Sequence, residues 1–243
     1  MKKLKMALCL SATLLASTAA QAQWQANWLL GVSSAYSWGD GDVDFTAFNS
    51  TTGSLVTFSQ GFDAKGWDWG LLGGYQARCN GWLLGLELNV DWQDRDNTEN
   101  YAFATVGNTV VGNATVSFDR DTVVGLTARL GYEISDWFMP YLRAGVETSE
   151  DKISFSSAIL VPAAISTAND GERRSWRFVG GVGAEMPVPV LSGLSLRLEY
   201  QYHSKGRSVE ATNLASDNVT VITASTKQSD NQAKAALVYN FNI

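Results

Sequence analysis

The chain has 243 residues, with 18 Lys and Arg against 24 Asp and Glu, one His and two Cys. The formal charge of −6 argues against nucleic acid as a partner, because phosphate binding wants a basic surface. One histidine and two cysteines supply no recognisable metal-ligand set.

The N-terminus begins Met1-Lys2-Lys3-Leu4-Lys5, continues through the apolar run Met6 to Ala16, and reaches Ala20-Gln21-Ala22. A basic start, a short apolar core and a small-x-small ending describe a secretory signal peptide. Residues 1–22 are therefore expected to be removed, which leaves 23–243 as a single domain. Three lysines leave with the signal, so 15 bases face 24 acids and the formal charge becomes −9. Cys9 lies inside the apolar run and offers no lipid-attachment site. Cys79 then stands alone, makes no internal disulfide, and reads as a turn residue without chemistry.

Eight segments follow with period-two alternation, the signature of strands. Trp28–Trp38 is the first, with Trp28, Leu30, Val32, Ser34, Tyr36 and Trp38 in one register. Gly66–Ala77 sets Trp67, Trp69, Leu71, Gly73 and Tyr75 against Asp68, Gly70 and Gln76. Trp82–Trp92 sets Trp82, Leu84, Leu86, Leu88, Val90 and Trp92 against Gly85, Glu87, Asn89 and Asp91. Its ten residue steps, tilted about 40°, rise roughly 25 Å, the height of an apolar membrane band edged by aromatic girdles. Asp121–Glu133, Phe138–Glu147 and Arg174–Met186 repeat the pattern. Leu194–His203 and Asn231–Phe241 complete it. Eight is an even number, as a closed up-and-down barrel requires.

The connections alternate in length. Arg78-Cys79-Asn80-Gly81, Ile134-Ser135-Asp136-Trp137 and Pro187 to Gly193 are short. Asn80-Gly81 is a tight-hairpin signal. The stretches 39–65, 93–119, 148–173 and 204–230 are long. They contain strand-like pieces such as Ser54–Gln60 and Val219–Ala224, so they read as hairpins that carry the wall beyond the lipid. No segment is an apolar helix of about 20 residues, so a membrane protein of this sequence must close as a barrel.

On the inner face the alternation places Asp68, Glu87, Asp91, Glu133, Glu147, Glu185 and Glu199 with Arg129, Arg143, Arg177, Arg197 and Lys234. Eight strands enclose a space that side chains just fill. Opposite charges there predict an ion-paired plug. The alternative is a narrow ion path.

These features together resemble the outer-membrane β-barrel domain family. The features are the signal peptide, eight amphipathic strands, inner-face Gly-x-Gly spacing, Pro140-Tyr141-Leu142-Arg143-Ala144-Gly145-Val146 and a closing aromatic strand. That group includes OmpA-like and OmpX-like small barrels and porin-family surface antigens of Gram-negative bacteria. The resemblance implies an all-β, eight-stranded antiparallel transmembrane barrel with short periplasmic turns and long extracellular loops. It implies outer-membrane lipid and the barrel-insertion machinery as partners. Family chains usually end in an aromatic residue, whereas here Phe241 is followed by Asn242 and Ile243.

Catalytic signals are sparse. His203 and Ser204 are adjacent, and neighbours on a strand face opposite ways, so they form no nucleophile–base pair on a regular strand. Asp40, Asp42 and Asp44 alternate at a loop start but lack the twelve-residue calcium pattern. They read as a solvated acidic rim. No catalytic, cofactor-binding or metal residue is assigned, and no cofactor is implied. The expected function is non-enzymatic: envelope structure with a loop surface for host or environmental partners. The competing readings are a small porin and a lipid-modifying outer-membrane enzyme. Ser156–Ile165 is uncharged and mostly apolar and lies in an outer loop, which makes it a candidate contact element.

Overall fold

A computed structural model describes residues 24–94, 97–106, 109–120, 122–159, 165–215 and 217–241. The expected signal peptide lies outside them, as do residues 160–164 of the apolar loop stretch. Among the described residues eleven strands are present: β1 Gln25–Asn49, β2 Leu55–Cys79, β3 Trp82–Asp94, β4 Asn97–Val106, β5 Thr109–Arg120, β6 Val123–Tyr132, β7 Met139–Ile159, β8 Ile165–Pro187, β9 Leu194–His203, β10 Val209–Leu214 and β11 Thr220–Phe241. No helix among the described residues is long and apolar enough to cross a membrane.

Eight of the strands close a ring. β1 pairs with β2, then β3, β6, β7, β8, β9 and β11 follow, and β11 returns to β1, every pair antiparallel. The ring is staggered. Hydrogen-bonded neighbours run Trp28, Tyr75, Leu86, Ala128, Ala144, Gly180, Tyr202, Asn231 and back to β1 at Trp38, ten residues above the start. Such a shear is what tilts strands against the barrel axis.

The alternation sets the two faces as expected. Leu30, Leu86, Leu126, Leu142, Val182 and Leu237 all point outward and are about half exposed. Aromatic residues edge this band at both ends. Trp28, Tyr75, Trp82, Tyr132 and Tyr239 stand near the short turns, and Tyr36, Trp67, Trp92, Trp176 and Tyr202 stand at the far side. At the β2–β3 turn Asn80 and Gly81 both have positive φ, 50° and 81°, as a tight hairpin of this type demands.

The long connections are mostly strand. β1 runs eleven residues beyond Trp38, and only a short turn separates it from β2. Past the ring the strands continue as two four-stranded sheets. One has the order β2-β1-β11-β10 and the other β4-β5-β7-β8. At one seam Arg173 Nη1 donates to the Ser208 carbonyl at 3.1 Å, and the Arg207 backbone N–H donates to Ser175 Oγ at 3.2 Å.

Polarity inverts between the two parts. Within the apolar band β1 is apolar outside. Above it Asp40, Asp42 and Asp44 face out, while Val43 and Phe45 face in. Val43, Phe45, Phe62, Val116, Ile153, Phe155, Val209, Ile222 and Ala224 form one buried apolar cluster between the sheets. Each fully buried Val, Ile or Phe contributes about 1.5–3 kcal/mol, so this outer part is stabilised as a water-soluble β-sandwich is.

One expectation needs correction. Glu133 lies just past the end of β6, half-buried at the rim, and does not join the inner charges. Its backbone N–H donates to the Gly81 carbonyl at 2.8 Å, so turn geometry ends the alternation there. The stretch 148–173 is largely the β7–β8 hairpin, in line with the expected extension of the wall, in register from Thr148 opposite Trp176 to Ile159 opposite Ile165.

Candidate functional site: the lumen and the outer rim

The lumen is built in layers, because every inward position of a tilted strand meets inward positions of its neighbours at one height. The layer at the short-turn end is made of amides. Gln76 Nε2 donates to Asn240 Oδ1 at 2.9 Å, and Asn240 Nδ2 donates to Ser195 Oγ at 3.2 Å.

Above it lies an ionic layer. Glu87 Oε1 accepts from Arg129 Nη1 and from Arg197 Nη1, both at 2.8 Å. Glu185 Oε2 accepts from Arg129 Nη2 and Arg197 Nε, both at 2.9 Å. Arg143 Nη1 donates to Glu199 Oε2 at 3.0 Å, and Tyr141 Oη donates to Glu199 Oε1 at 2.5 Å. The Arg129 guanidinium also covers the Tyr141 ring, 3.9 Å from its centroid. Gly183 makes room for that ring, since a Cβ there would stand 2.6 Å from it.

The middle of the lumen holds two smaller sets. Lys234 Nζ donates to Asp91 Oδ1 at 2.7 Å. Asp68 accepts from Ser37 Oγ, and from Gln232 Nε2 at 2.8 Å.

A second ionic layer closes the outer end of the band. His203 Nδ1 lies 2.8 Å from Glu147 Oε2. Arg177 Nη1 and Arg120 Nη1 donate to Asp230 Oδ2 at 2.7 and 2.6 Å, and Arg120 Nε donates to Asp151 Oδ1 at 2.8 Å. The apolar cluster of the outer sheets lies beyond. Opposite charges sit close enough to offset the cost of leaving water, provided both partners stay.

Eleven of the twelve inner charges read from the sequence meet in these layers, Glu133 being the exception. Arg120, Asp151, Asp230 and Tyr141 were missed. Their signal was present: parity carried upward from Glu147 reaches Asp151, and from Gln232 reaches Asp230.

His203 is buried in the lumen at 5% exposure, and Ser204 is held elsewhere. The Ser204 backbone N–H donates to the Phe178 carbonyl at 2.8 Å, and Ser204 Oγ accepts from the Phe178 N–H at 3.0 Å. The geometry therefore does not pair Ser204 with the imidazole. Asp40, Asp42 and Asp44 are outward and exposed, and Asp42 pairs with Lys205 at 3.2 Å. No group of three or more His, Cys, Asp or Glu residues among the described ones is placed to hold a metal. At the β10–β11 turn the Thr220 hydroxyl and the Val219 N–H donate to Asp217, which holds its carboxyl below the ordinary aspartate range.

A ring of eight tilted strands, an apolar belt with two aromatic edges and a charged interior describe a membrane barrel. The sequence profile of the outer membrane protein beta-barrel domain matches residues 7–241. The chain belongs to that family. It is accordingly a protein of the outer membrane, and barrels of that membrane carry their short turns on the periplasmic side. No curated protein matches the sequence. Among solved structures it is similar to the outer membrane protein OprG from Pseudomonas aeruginosa. The TM-score is 0.50 at 11% identity, over 90% of this chain and 98% of that one. Neisserial surface protein A is matched with a TM-score of 0.37 at 12% identity, over 85% and 99% of the two chains. The outer membrane protease OmpT from Escherichia coli gives 0.44 at 10%, over 88% and 97%. At such identities the likeness concerns the fold alone.

Proposed function

We propose that this barrel is non-enzymatic and non-conducting, and that it presents a rigid surface to partners outside the cell. The observation that carries the reading is one rank of apolar side chains on the outward face of the β2-β1-β11-β10 sheet. Leu55, Phe48, Val221 and Leu214 are direct cross-strand neighbours near its tip. Leu55, Phe48 and Leu214 are 63%, 43% and 47% exposed. They stand far above the lipid band, so lipid does not cover them. A contiguous exposed apolar patch in water marks a contact surface. The rank below it is Thr57, Thr46, Thr223 and Thr212, a flat hydroxyl row that adds directional bonds.

The lumen supports the other half of the reading. An ion would have to cross two buried ionic layers and then an apolar layer, with no wide aqueous column such as the larger porins have. In this reading residues 1–22 serve for export, the belt meets outer-membrane lipid, and the insertion machinery meets the closing strand with Tyr239 and Phe241. Its acidic character speaks against nucleic acid.

The test combines Phe48→Asp and Leu55→Asp in cells that display the protein. Adhesion to host cells or serum-coated surfaces should fall while heat-modifiable migration on a gel stays as in wild type. Adhesion that persists removes this rank as the contact surface. The wild-type barrel should give no steady current in a planar bilayer, and a reproducible porin-sized channel would overturn the non-conducting reading.

A further inference from the structure

A cavity of about 710 Å³ opens at the periplasmic end of the lumen. It lies at the opposite end from the display surface. Trp24, Gln76, Arg78, Ser195 and Asn240 line it, with Pro187 and Gly193 from the β8–β9 turn. Its size falls within the range of roughly 300–1,000 Å³ typical of small-molecule sites.

The chemistry of the lining is specific. The amides of Gln76, Asn27 and Asn240 are tied to one another and to Ser195, so their positions are fixed before a ligand arrives. Gln76 is 1% exposed, and its Oε1 has no hydrogen-bond partner. The one cation in the lining, among the described residues, is Arg78. Its side chain is 37% exposed, and its only ion pair among the described residues is to Glu185 Oε1 at 3.4 Å. Glu185 is already held by Arg129 and Arg197 at 2.9 Å each. Arg78 Nε has no hydrogen-bond partner.

Charge counting agrees. The connected ion-pair set at this end joins Arg78, Arg129, Arg143 and Arg197 to Glu87, Glu185 and Glu199. That is four bases and three acids, and the surplus base is the one facing the cavity. Glu133 and Asp136, the other described carboxylates at this end, are on the β6–β7 side, outside the lining and without an ion pair among the described residues.

We propose that this cavity is a binding site for a small periplasmic oxyanion that also carries hydroxyl or amide groups. Its carboxylate or phosphate pairs with the guanidinium fork of Arg78, a geometry that both anions fit. Its remaining polar groups meet Gln76, Asn27 and Asn240. Trp24 offers an apolar face to the rest of the ligand.

The probes are galacturonate, inorganic phosphate and galactose, the last differing from the first only in carrying a neutral hydroxymethyl group in place of the carboxylate. They are titrated into the refolded protein in micelles, followed by side-chain amide NMR signals of Gln76, Asn27 and Asn240 and by Trp fluorescence. Galacturonate or phosphate should give saturable shifts, and galactose none at the same concentrations. The tighter of the two anions identifies the anionic group. Arg78→Gln should weaken binding at least about tenfold, since a charge-assisted bond is lost. Arg78→Lys should keep more of it than the glutamine variant. On wild-type protein alone, added sodium chloride should weaken the binding, which tests the charge even where a variant fails to fold. The proposal is overturned by the absence of saturable shifts with both anions, by equal shifts with galactose, or by unchanged affinity in a folded Arg78→Gln barrel. None of these outcomes bears on adhesion by the outer rank.

Discussion

Arg177 and Asp230 meet at 2.7 Å where the barrel changes character. Below the pair the interior is charged and the exterior oily. Above it the interior is apolar and the exterior charged. Asp230 also holds Arg120 at 2.6 Å, so one carboxylate answers two guanidinium groups, all three buried. Asp230→Ala therefore removes the short ion pair of Arg177, leaving it a longer one of 3.7 Å to Glu147, and leaves Arg120 to Asp151. The expected cost is about 3–5 kcal/mol, the range for removing one partner of a buried ion pair. Urea refolding titrations in micelles measure it. Lys205→Ala, which breaks the exposed pair with Asp42, should cost no more than about 1 kcal/mol. Equal costs would mean that the Asp230 cluster is solvated rather than buried.

The depth of the oily band gives a second expectation. Leu86 points outward in mid-band and is 55% exposed. Leu86→Arg should cost about 2–4 kcal/mol, as a cation does at the midplane of a barrel exterior. Thr212 also points outward, but high on the β10 hairpin. Thr212→Arg should stay within about 0.5 kcal/mol, as ordinary surface changes do. Folding titrations of both variants in lipid vesicles locate the upper edge of the membrane. Similar penalties would mean that lipid reaches the hairpin tips.

Much of this was legible before any coordinates. Period-two alternation from Trp82 to Trp92 sorts its residues onto two faces, and Leu84 and Leu88 are indeed half exposed while Glu87 is fully buried. The closed ring follows from pairing each strand with its neighbour. What escaped was the change of sign above the band. Val43 and Phe45 continue the inward parity of Ala35 and Ser37 without a break, but the solvent outside changes from lipid to water, so the meaning of "inward" reverses from polar to apolar. Periodicity reports which residues share a face, and says nothing about what that face touches. Arg78 was missed for a related reason: it sat in a turn by pattern, whereas β2 runs on to Cys79 and carries it into the mouth of the lumen.

Acid should loosen the β10–β11 turn in a predictable direction. Asp217 accepts from the Thr220 hydroxyl at 2.6 Å and from the backbone N–H groups of Val219 and Thr220 at 3.0 and 2.9 Å. Donors favour the charged form, so its folded pKa lies below the unfolded one. A depressed carboxyl contributes stability that is full above its unfolded pKa and fades as pH falls through its folded pKa. The amide signals of Val219 and Thr220 should move with that low-pH titration. They should lose the dependence in Asp217→Ala. Retention of the same titration in the variant would assign it to another group.

The apolar cap should be separable from the ring beneath it. Ile153 is fully buried and Phe155 is 2% exposed, both within the cluster between the outer sheets. Phe155→Ala opens a void beside Phe45, whose ring centroid lies 5.4 Å away. A large-to-small change of this kind costs about 3–5 kcal/mol, transfer and cavity terms together. The loss should fall on the outer sheets, because the ring keeps its own ion pairs and full ladder of backbone bonds. Hydrogen exchange should therefore quicken in β10 and in the upper halves of β1, β7 and β11. Residues such as Leu86 and Leu126 should exchange as in wild type. The variant should also lose adhesion, since the rank of Leu55, Phe48, Val221 and Leu214 depends on the sheet that carries it. Acceleration throughout the barrel would instead show that cap and ring unfold as one cooperative unit. Lost cap protection with full adhesion would detach the contact surface from the outer sheet.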